Sequence, residues 1–449
     1  MNKTSGGRLL LFSGLHVASL ALVIFSSVSE FYFFSGYLAI ALMIVSGVWL
    51  ARAEQALFWT ALYFVFALSS TVLISIFVEH GIYLWEIRRW SDASGLTVIA
   101  WYQVLLVMTG VIFSYRAIDA VKLRFFSFPS VMRMGLEQLI RAVALLMIAV
   151  LVSIAMLYGT PSEHGVHRMD YWAYYAPTWG GAVAYWIIQL SFPLGYIYAH
   201  RKRKIDIAIF FLILMVSVYM GTRFTGLVLA CFFFFLPIAL LEAKKPLSVF
   251  FSWRGAMVLV LLLLLLVTAL LASYGTSLSR AVEMVLARAG VQAQMWWALN
   301  DAVGASLMPI GDILGHYFGF GTEKQDSGVY YLMKQVAPMD VVNYRIETGS
   351  AFTMSGVFNN VHFFGYALGG LVNVLYGAVF GVSCGLLKKA LESRNLIVSL
   401  FAFKLMYKLM VVLLTGSTDQ VFTLGNVVFF LIIIAFLRLS VSRYEYQCR

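Results

Sequence analysis

Residues 255–274 read GAMVLVLLLLLLVTALLASY, and residues 276–300 just beyond them read TSLSRAVEMVLARAGVQAQMWWALN. The first stretch is apolar and long enough to cross a hydrocarbon core of about 30 Å as a helix. The second sets Arg288, Gln292 and Trp296 at i, i+4 and i+8, one stripe down the face of a helix. This boundary opens the only long segment between apolar runs, residues 276–361. That segment carries five basic and seven acidic side chains in a chain whose formal charge is +11.

Outward from this boundary, apolar runs recur at 9–29, 33–51, 56–78, 97–115, 138–158, 182–199, 206–221, 224–241, 255–274, 362–387, 396–415 and 420–437. The sequence therefore predicts an all-α polytopic membrane protein of about twelve transmembrane helices with one large, partly helical loop. Residues 1–275 hold nine helices joined by short loops, 276–361 form the loop, and 362–449 hold the last three. At 61% hydrophobic and 12% charged residues, with mean hydropathy +0.87, the composition excludes a soluble globular domain. The basic residues sit at the ends of apolar runs and not on one exposed face, which argues against a nucleic-acid partner. Cys231, Cys384 and Cys448 lack metal-ligand spacing and suggest no disulfide framework.

Orientation follows from Lys and Arg, which keep short loops cytoplasmic. With both termini inside, 20 of the 32 basic residues fall on the cytoplasmic side and Arg141, Lys404 and Lys408 fall within spans. The remaining Arg88, Arg89, Arg168, Arg223, Arg280, Arg288, Lys324, Lys334 and Arg345 are outside, against the rule, so a ligand is the natural reason for some of them. Arg223 lies in a tight turn, Met220-Gly-Thr-Arg-Phe-Thr-Gly226, and Arg168 lies among aromatics between the fifth and sixth runs. The short segment Glu86 to Trp90 is mixed in charge, and nothing in it points to a role.

Arg288, Gln292 and Trp296 would suit a glycosyl phosphate: a guanidinium fork for phosphate, an amide for hydroxyls and an apolar plate for a pyranose ring. The polar stretch Asn343-Tyr-Arg-Ile-Glu-Thr-Gly-Ser-Ala-Phe-Thr-Met-Ser-Gly356 leads back to the membrane, and His362 stands at the outer end of the next span.

In layout the chain resembles, over nearly its whole length, the O-antigen repeat-unit polymerases of the Wzy type from the Gram-negative inner membrane. Gly221-Thr-Arg223 is similar to a Gly-x-Arg at an outer turn in that family. Arg345 to Gly356 matches a spacing of Arg, ten residues and Gly, while Arg168 to Gly180 departs from it by one residue. The resemblance implies a GT-C-like, metal- and cofactor-free glycosyltransferase that polymerises undecaprenyl-diphosphate-linked oligosaccharide at the periplasmic face, with membrane lipid and a chain-length regulator as further partners. Arg168, Arg223, Arg280, Arg288, Gln292, Trp296 and Arg345 would then bind substrate. Glu347, His362 and Asp301 are open choices for the base that an acceptor hydroxyl needs. An O-antigen ligase, acting on lipid A-core, and a lipid-linked oligosaccharide flippase are the alternatives.

Overall fold

A computed structural model describes residues 3–28, 31–121, 123, 125, 130–166, 168–222, 224–253, 255, 257, 260, 290, 291, 293–352, 354–416, 428, 431, 432 and 435. The first half runs α1 (Lys3–Val28), α2 (Tyr32–Ala53), α3 (Gln55–Glu79), the strands β1 (Tyr83–Leu84) and β2 (Arg89–Trp90), α4 (Leu96–Ala120) and α5 (Ser130–Tyr158). It continues through α6 (Arg168–Asp170), α7 (Thr178–Gln189), α8 (Ser191–Arg201), α9 (Lys204–Tyr219), α10 (Phe224–Leu241) and α11 (Pro246–Phe250). After a helical stretch at 293–302 come α12 (Ile310–Asp312), α13 (Gly328–Val336), α14 (Met339–Glu347), α15 (Gly356–Glu392) and α16 (Leu396–Thr415).

Seven helices among the described residues are long and apolar enough to cross a membrane: α2, α3, α4, α5, α7 continued by α8, α15 and α16. The chain is thus an all-α membrane protein. Most of the runs expected at 255–274 and 420–437 lie outside the described residues. The last part of the expected loop is already helix, because α15 begins at Gly356 and bends at Gly365, whose φ of 69° and ψ of 175° are open to glycine alone.

The centre of the bundle is the pair α4 and α15. Gly377, Gly381 and Gly385 lie on one ridge of α15, and Gly110 lies on the facing side of α4. A Cβ on Gly377 would overlap the Val107 carbonyl oxygen, and one on Gly110 would overlap that of Val374. Lipid gives apolar side chains no reason to leave it for each other, so close backbone approach through small residues is how such helices hold together. Towards the loop the same seam turns polar. Asn373 Nδ2 donates to Gln103 Oε1 and Asn360 Nδ2 to Asn373 Oδ1, both at 2.7 Å, and all three residues are buried.

Away from the loop, the basic residues read as topology signals are neutralised locally: Arg116 by Glu54, Lys388 by Asp119 and Arg201 by Glu137. Arg141, placed by sequence within a span, reaches the buried Asp206 with Nε at 2.6 Å and Nη2 at 3.2 Å.

The seam makes a test possible. Gly377→Ala, which must push α4 and α15 apart, is expected to cost about 1–3 kcal/mol and to lower the unfolding temperature in detergent. Gly47→Ala on α2, where a Cβ meets nothing within 4 Å, is expected to leave it unchanged or raised.

Candidate functional site

At the loop-bearing end, α3 and α4 are joined by the β1–β2 hairpin, with Tyr83 opposite Trp90 and Leu84 opposite Arg89. Arg88 closes it with a positive φ of 57° and a bond from its N–H to the Leu84 carbonyl at 2.7 Å. The base of the connection is set by Glu79, which is 1% exposed. Gly95 gives α4 no side-chain cap, so the Glu79 carboxylate takes that place, accepting from Leu96 N–H and Thr97 Oγ1, each at 2.5 Å. Leu84 and Ile87 point into the core.

The hairpin's charges meet the long loop with complementary sign. Arg88 donates to Asp340 at 2.6 Å and Arg89 to Asp301 at 2.5 Å. Glu86 accepts from Arg345 Nη2 and from Gln294 Nε2. Arg345 also donates from Nη1 to Ser350 Oγ at 3.3 Å and stands over the Phe352 ring, while its buried Nε–H has no hydrogen-bond partner among the described residues. The segment Glu86 to Trp90, in which the sequence shows no role, is therefore the dock for the loop.

The helical stretch 293–302 runs beneath. Every residue from Ala293 to Leu299 is buried, which corrects the expectation that Trp296 offers an apolar plate to a pyranose ring. Trp296 is 1% exposed and its ring stacks on Phe358 at 5.0 Å, because the stretch is apolar on its other faces too and is enclosed by α15. Trp297 donates to the Asp92 carbonyl at 3.0 Å and lies under the Arg89 guanidinium.

The three candidate bases separate clearly. Glu347 is exposed at the end of α14, and Asp301 is engaged by Arg89. His362 is buried in the first turns of α15, edge-on to Trp296, and its Nδ1 lies 2.7 Å from the Gly304 carbonyl oxygen. A carbonyl only accepts, so Nδ1 carries the proton and Nε2 presents a lone pair. That Nε2 is buried without a hydrogen-bond partner among the described residues. Nearby, burial and the adjacent Tyr376 hold the Tyr317 phenol well above its ordinary range, so it stays protonated and donates to Asn360 Oδ1 at 2.6 Å.

Arg168 forms a separate cluster. Gly221 lies in the left-handed region at φ 69°, and a Cβ there would sit 3.7 Å from that of Arg168, so the tight turn and the aromatic segment do meet. Arg223 itself, with Arg280, Arg288 and Gln292, lies outside the described residues. Both motif glycines mark close approach: a Cβ on Gly180 would overlap the Trp172 ring, and one on Gly356 would press on Leu413 O at 3.1 Å. Among the described residues, no three His, Cys, Asp or Glu side chains gather as metal ligands would.

A family model described as a family of unknown function (DUF6418) matches residues 322–430. That span takes in Arg345, Glu347 and His362. The chain matches no curated protein and no solved structure.

The hairpin's anchoring can be checked by unfolding in detergent. Both ion pairs of Arg88 and Arg89 remain solvated, so Arg88→Ala and Arg89→Ala should each cost no more than about 1 kcal/mol. Leu84→Ala, which opens a cavity under the hairpin, should cost about 2–4 kcal/mol.

Proposed function

We propose that this protein is a glycosyltransferase of the bacterial inner membrane that polymerises undecaprenyl-diphosphate-linked O-antigen repeat units. In this reading it has twelve spans, cytoplasmic termini and a GT-C-like loop at the periplasmic face. One observation carries the proposal: at the loop-bearing end the Arg345 Nε–H and the His362 Nε2 are both buried with no hydrogen-bond partner among the described residues.

The chemistry divides between these two groups. The Arg345 guanidinium binds the diphosphate of the donor and stabilises the charge that grows on it as the bond from the sugar C1 to the phosphate oxygen breaks. His362 Nε2 takes the proton from a non-reducing-end hydroxyl of the acceptor repeat unit, whose oxygen forms the new bond to C1. Undecaprenyl diphosphate leaves carrying the electron pair. Asp301 ties the loop to the hairpin through Arg89, and Glu347 faces water. Arg168 and the neighbouring turn at Gly221 are a second basic contact for the lipid-linked substrate.

One observation favours the flippase alternative: Lys404, midway along α16, donates to Gln189 Oε1 and lies 3.9 Å over the Trp186 ring, giving a span an interior charge. Incubation of the purified protein with synthetic lipid-diphosphate oligosaccharide alone separates the readings. Longer products are expected; none would favour ligase or flippase.

In cells, Arg345→Ala and His362→Gln are expected to abolish elongation and leave single repeat units on the surface, seen as one band by electrophoresis of surface glycan. Arg345→Lys should behave like Arg345→Ala, since an ammonium cannot replace a two-armed fork. Near-normal chain lengths in that variant would reduce Arg345 to a general electrostatic role.

A further inference from the structure

The Glu86 carboxylate occupies the charged end of Arg345. It does so imperfectly, engaging Nη2 while the Nε–H on the same edge of the guanidinium stays buried and unmatched among the described residues. Two parallel bonds to Nε and Nη2 are what a carboxylate or a phosphate makes when it faces that edge squarely. Glu86 is kept from doing so by its second bond, from Gln294, and by a hairpin fixed through Leu84 and Ile87. An oxyanion with tetrahedral oxygens and no tether is free of that constraint. It could satisfy Nε and Nη2 together and accept from Gln294 with a further oxygen.

We infer that Glu86 is a built-in latch: its carboxylate stands in for the phosphate group of the substrate on Arg345 and Gln294, and the substrate diphosphate must displace it to bind. The latch is the side chain and not the hairpin, which keeps its hold through its apolar anchors and through Arg88 on Asp340 and Arg89 on Asp301. The half-buried setting of the pair, with 26% of the Arg345 side chain and 17% of the Glu86 side chain exposed, gives an incoming anion access to the edge of the contact. In the free protein Glu86 spares Arg345 an uncompensated charge near apolar surface. It also excludes singly charged anions that cannot outcompete a tethered carboxylate. The inference rests on the reading that Arg345 binds the diphosphate.

The test is titration of inorganic pyrophosphate into the full-length protein in lipid nanodiscs, followed by calorimetry. Glu86→Gln keeps the side-chain volume and removes the competing charge, so it should bind pyrophosphate at least tenfold more tightly than the wild type. Glu86→Met, which also removes the charge at similar volume, should shift affinity in the same direction and serves if Glu86→Gln does not fold. Glu86→Asp, which keeps the charge, should stay close to the wild type. Arg345→Gln should abolish the gain in the Glu86→Gln background. Equal affinities for wild type and Glu86→Gln, both weakened by Arg345→Gln, would overturn the latch and leave the anion site standing. Affinities indifferent to Arg345→Gln in every background would overturn the anion site and the latch together.

Discussion

Everything at the loop-bearing end depends on how closely α4 and α15 approach. The glycine ridge of α15 and Gly110 of α4 bring one backbone against the other, and this fixes the rotation of α15 about its axis. With that rotation set, Asn373 faces Gln103 and not lipid, and Asn360 faces Asn373. The amide chain then reaches Tyr317 in the loop. In a medium that offers no water to an unpaired amide, such a chain is either complete or very costly. Helix register and loop placement are consequently one decision and not two.

Above that seam the polar and apolar parts are sorted by layer. The helical stretch 293–302 is an interior element, packed on the first turns of α15, and the charged contacts lie over it. The ion pairs contribute position more than stability, since two of the three between hairpin and loop are solvated on both sides. The third, Glu86 with Arg345, is more enclosed, and the Arg345 Nε–H beside it has no hydrogen-bond partner among the described residues.

The spans were legible because the bilayer dictates length and composition together, and seven long apolar helices fall on the expected runs. Trp296 was misjudged because a stripe at i, i+4 and i+8 describes one face only. The signal for burial was on the others, where Met295, Ala298 and Leu299 leave no solvated side. Glu86 was missed for a different reason: its partners are 208 and 259 positions away, and no local pattern encodes them. The one available sign was complementarity, a Glu and two Arg in a short turn facing a loop with the opposite arrangement. For His362 the deciding partner is a backbone carbonyl, which carries no residue identity at all.

The bend at Gly365 also divides α15 by environment. Ahead of it, the Phe363 carbonyl accepts from Met308 N–H at 3.0 Å, so a piece of irregular chain is hydrogen-bonded to the helix, which a bilayer tolerates only inside protein. Behind it the helix continues to Glu392 for about 40 Å at 1.5 Å per residue. That exceeds a hydrocarbon thickness of about 30 Å by roughly two turns. The surplus must be taken up by tilt or by overhang, and Lys388 and Lys389, paired with Asp119, place the overhang beyond the hydrocarbon at the end away from the loop. The hydrophobic thickness of the membrane then sets the lean of α15, and with it the tilt of the loop-bearing end that carries His362.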